Sequence, residues 1–135
     1  MGSKGLRVIG MSRGASKEAM AFVGIVGLHD PLRPGVAESV QMLLSSKVQV
    51  CMITGDGRET AQEIARSLGL LGSGSDLGKV LVSGQELDMM SEEDLVSVAE
   101  SVCVYYRANP LHKLRIVKAL QTTGHVVGMT GMLFV

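Results

Sequence analysis

The run from Val48 to Asp56, Val-Gln-Val-Cys-Met-Ile-Thr-Gly-Asp, decides how the rest of the chain reads. It is apolar, carries β-branched residues and stops abruptly at Thr-Gly-Asp. Val48, Val50, Cys51, Met52 and Ile53 predict a fully buried strand, the kind found in a parallel sheet covered on both faces. Thr54, Gly55 and Asp56 then fall at the strand's carboxyl end, where open α/β sheets place their ligands. Asp56-Gly57 marks a turn, and Glu59 to Leu68 reads as a helix just beyond it. A hydroxyl, an approachable backbone and a carboxylate thus converge beside a helix N-terminus, which favours anions. The competing reading is an ordinary strand and turn in which Asp56 caps the helix.

Upstream of this run, Leu6–Met11 predicts a short strand and Ser12–Lys17 a polar connection. Ala21–Leu28 is a second apolar run, and the prolines at 31 and 34 forbid a helix until Pro34, which suits a first helical position. From Pro34 to Ser46, Val36, Val40, Leu43 and Leu44 recur at helical spacing, and Lys47 closes that helix. Downstream, Ala61, Ile64, Ala65 and Leu68 form one stripe and Gly69 fits a C-terminal stop. Leu71–Gly78 reads as a flexible loop and Val80–Val82 as a short strand. Ser91 with Asp94 resembles a capping box that opens a helix through about Glu100. Val102–Tyr105 predicts a strand, Leu111–Gln121 a helix ending at Gly124, and His125–Met129 the last strand. Strands alternating with helices at this spacing predict an α/β fold with a Rossmann-like parallel sheet.

The chain's 135 residues suit one domain. With 13 basic and 13 acidic residues the net charge is zero, which offers no attraction to nucleic acid or an anionic membrane. Two Phe, two Tyr and no Trp leave little for stacking on bases. Nine Met allow an adaptable core. Cys51 and Cys103 lack metal or redox spacing and read as thiols of buried strands in a reducing, cytosolic setting. No apolar run approaches the ~18 residues a membrane span needs, so the chain reads as soluble.

Lys113 opens the helix after Asn109-Pro110, from where its ammonium can reach the sheet's carboxyl edge. Thr130-Gly131 ends the last strand as Thr54-Gly55 ends the central one. Hydroxyl, amide and ammonium donors on one side of a sheet suit a phosphate. A lone lysine is more often a solvated helix residue, but a strand-end Thr-Gly pair occurring twice, with a lysine between, is less easily dismissed.

The ordered set Asp30-Pro31-Leu32-Arg33, Met52–Asp56, Arg107–Pro110, His112-Lys113 and Met129-Thr130-Gly131 resembles the phosphorylation domain of P-type cation-transporting ATPases. That domain has a Rossmann-like core of the haloacid-dehalogenase type. Phe22–Val36 and His112–Leu120 are most similar to the secretory-pathway (Golgi) Ca²⁺/Mn²⁺ pumps. The resemblance runs from about Gly5 to Gly131. It implies that residues 1–20 are the end of a nucleotide-binding domain and its connection, 21–33 a hinge strand, 34–131 a partial phosphorylation domain and 132–135 a divergent tail. By it, Thr54, Gly55, Asp56 and Lys113 are catalytic. Thr54, Gly55, Lys113, Thr130 and Gly131 hold phosphate, and Arg33, Asp56 and Arg107 meet the nucleotide. Mg²⁺ and ATP are the cofactors of the intact pump, whose nucleotide-binding, actuator and membrane domains are the partners.

The departures are as informative. The family's nucleophile lies in Asp-Lys-Thr-Gly-Thr, a run absent here, so the attacking carboxylate of an acyl-phosphate mechanism is missing. Met132 stands where the family has an Mg²⁺-binding aspartate, and no residue is assigned to a metal. The tail Met132–Val135 reads as a truncation. The isolated chain is expected to be inactive, to bind neither cofactor and to self-associate through an exposed sheet edge. The alternative from another class is a non-catalytic fragment that binds a pump or channel. A small soluble phosphatase is disfavoured by the lack of a strand-end Asp-x-Asp.

Overall fold

A computed structural model describes residues 6–28, 31–71 and 81–131. His29-Asp30 of the predicted hinge, most of the predicted 71–78 loop and the 132–135 tail lie outside them. Strands β1 (Arg7–Gly14) and β2 (Met20–Leu28) form an antiparallel hairpin with a register shift between Met11 and Ser12. The polar Ser12–Lys17 connection is therefore partly strand, because Ser12, Arg13 and Gly14 find ladder partners in Phe22, Ala21 and Met20.

Helix α1 spans Val36–Ser45. Pro34 does not begin it. Gly35 is the N-cap in the left-handed region (φ 84), a conformation glycine takes at no steric cost. The end of α1 is a Schellman motif: Val48 N–H donates to Leu43 O and Lys47 N–H to Leu44 O. Lys47 adopts the left-handed conformation (φ 62) at the position where the ends of two later helices use glycine.

The second sheet is parallel, in the order β3 (Met52–Ile53), β5 (Val104–Tyr106), β4 (Leu81–Ser83). Met52 pairs with Val104, which also pairs with Leu81. Successive residues of β5 point to opposite faces, and each face has its own helices. On one face, Val104 and Leu81 meet Ala61 and Ala65 of α2 (Arg58–Ser67). On the other, Tyr105 and Val82 pack with Leu87, Leu95 and Ile116, from α3 (Gly84–Met89), α4 (Glu92–Val98) and α5 (Pro110–Thr122). This is the α/β arrangement expected, compressed to short strands.

Two strand expectations are corrected. The central strand is two residues long and only half-buried, and Val48 is 47% exposed. Among the described residues it has a hydrogen-bonded neighbour, β5, on one side only. His125–Met129 forms no strand, and Val126 stands fully exposed. A groove of about 780 Å³, lined by both Ile53 and Val127, lies between this segment and β3, so neither can complete a ladder with the other.

Several helix ends have a local cause. Ser91 and Asp94 form the expected capping box of α4. Ser83 with Glu86 and Asn109 with His112 form two more, and Pro110 opens α5. Gly69 (φ 72) and Gly124 (φ 91) end α2 and α5 as C′ glycines.

Candidate functional site at the strand ends

The corner is built from three turns that meet at the carboxyl ends of β3, β5 and β4. Leaving β3, Thr54 N–H donates to Tyr105 O (2.9 Å), so the sheet register holds the residue. The Thr54 hydroxyl donates to Asp56 Oδ2 (2.8 Å) and accepts from Asp56 N–H (3.1 Å), closing a tight turn around Gly55. Asp56 therefore does not act as the cap of α2: the N-cap is Gly57, with no side-chain capping bond. The first turn of this ten-residue helix carries the acidic Glu59, next to the exposed Arg58.

The loop after β5 closes over this turn. Arg107 N–H donates to Asp56 O and Ala108 N–H to Thr54 O, each at 2.9 Å. Arg107 does this in the left-handed region (φ 51), a strained choice for a side-chain-bearing residue. Its guanidinium lies against Gly57, where a Cβ would sit 3.5 Å from an Nη atom. Arg58, the next residue, places its guanidinium 6.0 Å from the centre of the Tyr106 ring. Beneath, Gly84 touches the back of the same loop: a Cβ there would lie 2.2 Å from Arg107 O and 2.9 Å from His112 Cε1. Only glycine fits that approach.

Sequence reasoning passed over Gly84 and the His112 network. His112 is 3% exposed. Asn109 N–H donates to its Nδ1, which makes Nε2 the protonated nitrogen, 2.7 Å from Asp88 Oδ1. Arg115 was equally silent. Its guanidinium donates to Leu87 O, Met90 O and Glu92 Oε1, tying the α3–α4 junction to α5. The Ser83-x-x-Glu86 spacing was a readable signal for α3. Hydrogen bonds from the Ser83 hydroxyl and amide hold the Glu86 carboxyl below its ordinary pKa.

The candidate residues divide into two sets and an outlier. Thr54, Gly55, Asp56 and Arg107 are together in the corner. Lys113, Thr130 and Gly131 share the groove next to β3, whose wall includes Ile53, the residue before Thr54. Lys113 is half-buried there rather than free on a helix surface. Arg33 is exposed in the loop before α1, and among the described residues no side-chain contact joins it to either set.

Neither cysteine forms a disulfide; both are half-buried and placed just before β3 and β5 rather than inside them. Burial, reinforced by Cys103, pushes the Cys51 thiol up to about 12. Burial likewise raises Cys103, and it raises the Tyr105 phenol with help from Cys51. These groups are neutral at physiological pH and carry no nucleophile into the corner. The Tyr105 hydroxyl is buried without a hydrogen-bond partner among the described residues.

The Arg107 guanidinium beside the start of α2 is the kind of pairing that holds a phosphate. Among the described residues no group of three His, Cys, Asp or Glu side chains is placed to hold a metal ion.

Residues 10–131 match the family model described as haloacid dehalogenase-like hydrolase. The chain is similar to calcium-transporting ATPase type 2C member 1 of Homo sapiens, 47% identical over 131 residues, which are 97% of this chain and 14% of that relative. It is 46% identical over 132 residues to the type 2C member 2 of Homo sapiens, covering 97% of this chain and 13% of the relative. It is 42% identical over 134 residues to calcium-transporting ATPase 1 of Schizosaccharomyces pombe, covering 97% and 15%. The chain spans no more than 15% of the length of these relatives. Among the described residues no helix is long and apolar enough to cross a membrane. With the parallel sheet, the strand-end corner and this match in view, the chain belongs to the haloacid dehalogenase-like hydrolase family.

Proposed function

We propose that this chain supplies the phosphate side of the phosphoryl-transfer site of an ATP-driven Ca²⁺/Mn²⁺ pump at a Golgi or secretory membrane, on its cytosolic face. The observation that carries this reading is the corner itself. Thr54, Asp56 and Arg107 are fixed to the end of a parallel sheet by backbone bonds, with Lys113 on the adjoining groove wall. Similarity to calcium-transporting ATPases supports the same assignment.

In this reading Thr54 and Gly55 hold the transferred phosphoryl oxygens through the hydroxyl and amide, and the Lys113 ammonium neutralises their charge. Thr130 and Gly131 face the same group across the groove. Arg107 and Asp56 lie on the nucleotide side, with Arg33 joining them on domain closure. ATP supplies the phosphoryl group, and Mg²⁺ draws most of its ligands from outside the described residues. The attacking carboxylate comes from elsewhere in a longer protein, on a strand that fits beside β3. Residues 1–20, 21–33 and 34–131 then serve as domain connection, hinge and partial phosphorylation domain. Alone, the chain is inactive.

The test is calorimetric titration of the chain with inorganic phosphate. Thr54→Ala and Lys113→Gln should each weaken binding at least about tenfold, the worth of one charge-assisted hydrogen bond. Unchanged affinity in both variants would overturn the assignment.

A further inference from the structure

Helix α3 meets the loop between β5 and α5 at two points. At its start, Gly84 lies against Arg107 O and the His112 ring, with no room for a Cβ. Near its end, Asp88 Oδ1 accepts from His112 Nε2 at 2.7 Å. The loop between these points carries what the corner depends on. Arg107 N–H and Ala108 N–H hold Asp56 O and Thr54 O, and Lys113 follows His112 directly.

Neither partner of the Asp88–His112 pair is explained by its own helix. Asp88 is the next-to-last residue of α3, where a carboxylate opposes the partial negative charge of the helix end. Its side chain is 66% exposed, so burial does not oblige it to find a partner. His112 is the reverse case, buried and bonded at both nitrogens: Asn109 N–H donates to Nδ1, and Nε2–H donates to Asp88. The bond at one ring nitrogen sets what the other can do, so the two bonds together fix one tautomer and one ring orientation. Without Asp88, a buried Nε2–H loses its carboxylate acceptor, which carries a desolvation cost. The other tautomer, or a turned ring, then becomes competitive, and either one gives up the bond from Asn109 N–H that helps to cap α5.

We propose that Asp88 is a positioning residue for the phosphate corner. Through the buried His112 imidazole it fixes the β5–α5 loop, and with it the Thr54–Asp56 turn on one side and Lys113 on the other. This deepens the phosphate-site reading and rests on it, adding an α3 residue that acts through His112.

Nitrogen-15 NMR of the full chain without phosphate is the first arm of the test. His112 should show the Nε2–H tautomer, and Asp88→Ala should shift the amides of Arg107, Ala108, Thr54 and Asp56. Asp88→Asn keeps an oxygen acceptor for Nε2–H and should leave those amides near their unsubstituted positions. Calorimetric titration with inorganic phosphate is the second arm. Asp88→Ala should weaken binding about threefold, the low end of coupling within one hydrogen-bonded network, and Asp88→Asn should restore it. Ser91→Ala, which destabilises α4 without touching the loop, should bind phosphate as the unsubstituted chain does. Loop and turn amides unmoved by Asp88→Ala would overturn the inference. So would affinity weakened equally by Ser91→Ala, or not recovered by Asp88→Asn. An unsubstituted chain that binds no phosphate would overturn the site reading instead; the phosphate-free shifts then support or overturn the hold of Asp88 on the loop by themselves.

Discussion

Residues 58–123 and residues 6–50 are comparably apolar, yet they fold under different rules. The first region holds every core residue: Leu87, Leu95, Val104 and Tyr105 have no exposure at all. Among the described residues the second has none, and even the amphipathic helix α1 buries no residue fully. Its stripe of Val36, Val40 and Leu44 reaches only half-burial, held by Gln41 Nε2 donating to Leu68 O (2.7 Å). Apolar pattern declares that a face wants cover; it does not say which segment supplies it. In the later region the cover is α2 on one face and α3, α4 and α5 on the other. In the earlier region no equivalent layer lies among the described residues.

That contrast can be broken or sharpened by substitution, with chemical denaturation as the readout. The largest effect belongs to the core: Leu87→Ala or Leu95→Ala should cost about 2–5 kcal/mol, whereas Val23→Ala in the hairpin should stay within about 0.5 kcal/mol. Equal losses at both places would erase the distinction. Next comes Gly84→Ala, which drives a methyl into Arg107 O and the His112 ring and should cost about 1–3 kcal/mol. It should also disturb the amides of Thr54 and Asp56, since Arg107 holds their turn. Ser91→Ala removes one capping box and should cost about 1 kcal/mol. The smallest effect has the opposite sign. Lys47→Gly relieves a left-handed lysine and should stabilise by about 0.5–1 kcal/mol, seen as a raised denaturation midpoint.

Alkaline pH probes the packed region alone. Cys51, Cys103 and Tyr105 are all raised in the folded state, so their contribution is full below the unfolded thiol value near 9. It is lost as pH climbs towards about 12, where Cys51 ionises in the fold. Stability should fall through that window, and Cys51→Ala should make the fall shallower. A flat profile would mean the thiol is not buried as described.

Much of this architecture was readable from residue order, because its causes are local. Strand-end Thr-Gly, the Ser91–Asp94 box and the glycines at 69 and 124 each act within a few residues. What escaped reading depends on distant neighbours. The burial of Val48 and the pairing of His125–Met129 both require a strand beside β3, which periodicity cannot supply. Gly84 looks like any loop glycine until the β5–α5 turn is laid over it. His112 reads as a surface helix residue until Asp88, brought close by α3, closes the pair. The corner residues were named from motif and resemblance. Their grouping into a Thr54–Asp56–Arg107 set and a Lys113–Thr130–Gly131 set emerges only in three dimensions.

The central claim is that a phosphate-ready corner is already built on the packed region, independent of the uncovered one. Amide-resolved NMR of the purified chain, titrated with inorganic phosphate and then with Mg²⁺-ATP, addresses it directly. The account predicts dispersed core resonances, with shifts concentrated at Thr54, Gly55, Asp56 and the first turn of α2 and at Lys113, while β1 and β2 stay unmoved. Shifts scattered over the hairpin, or none at the corner at saturating phosphate, would contradict it.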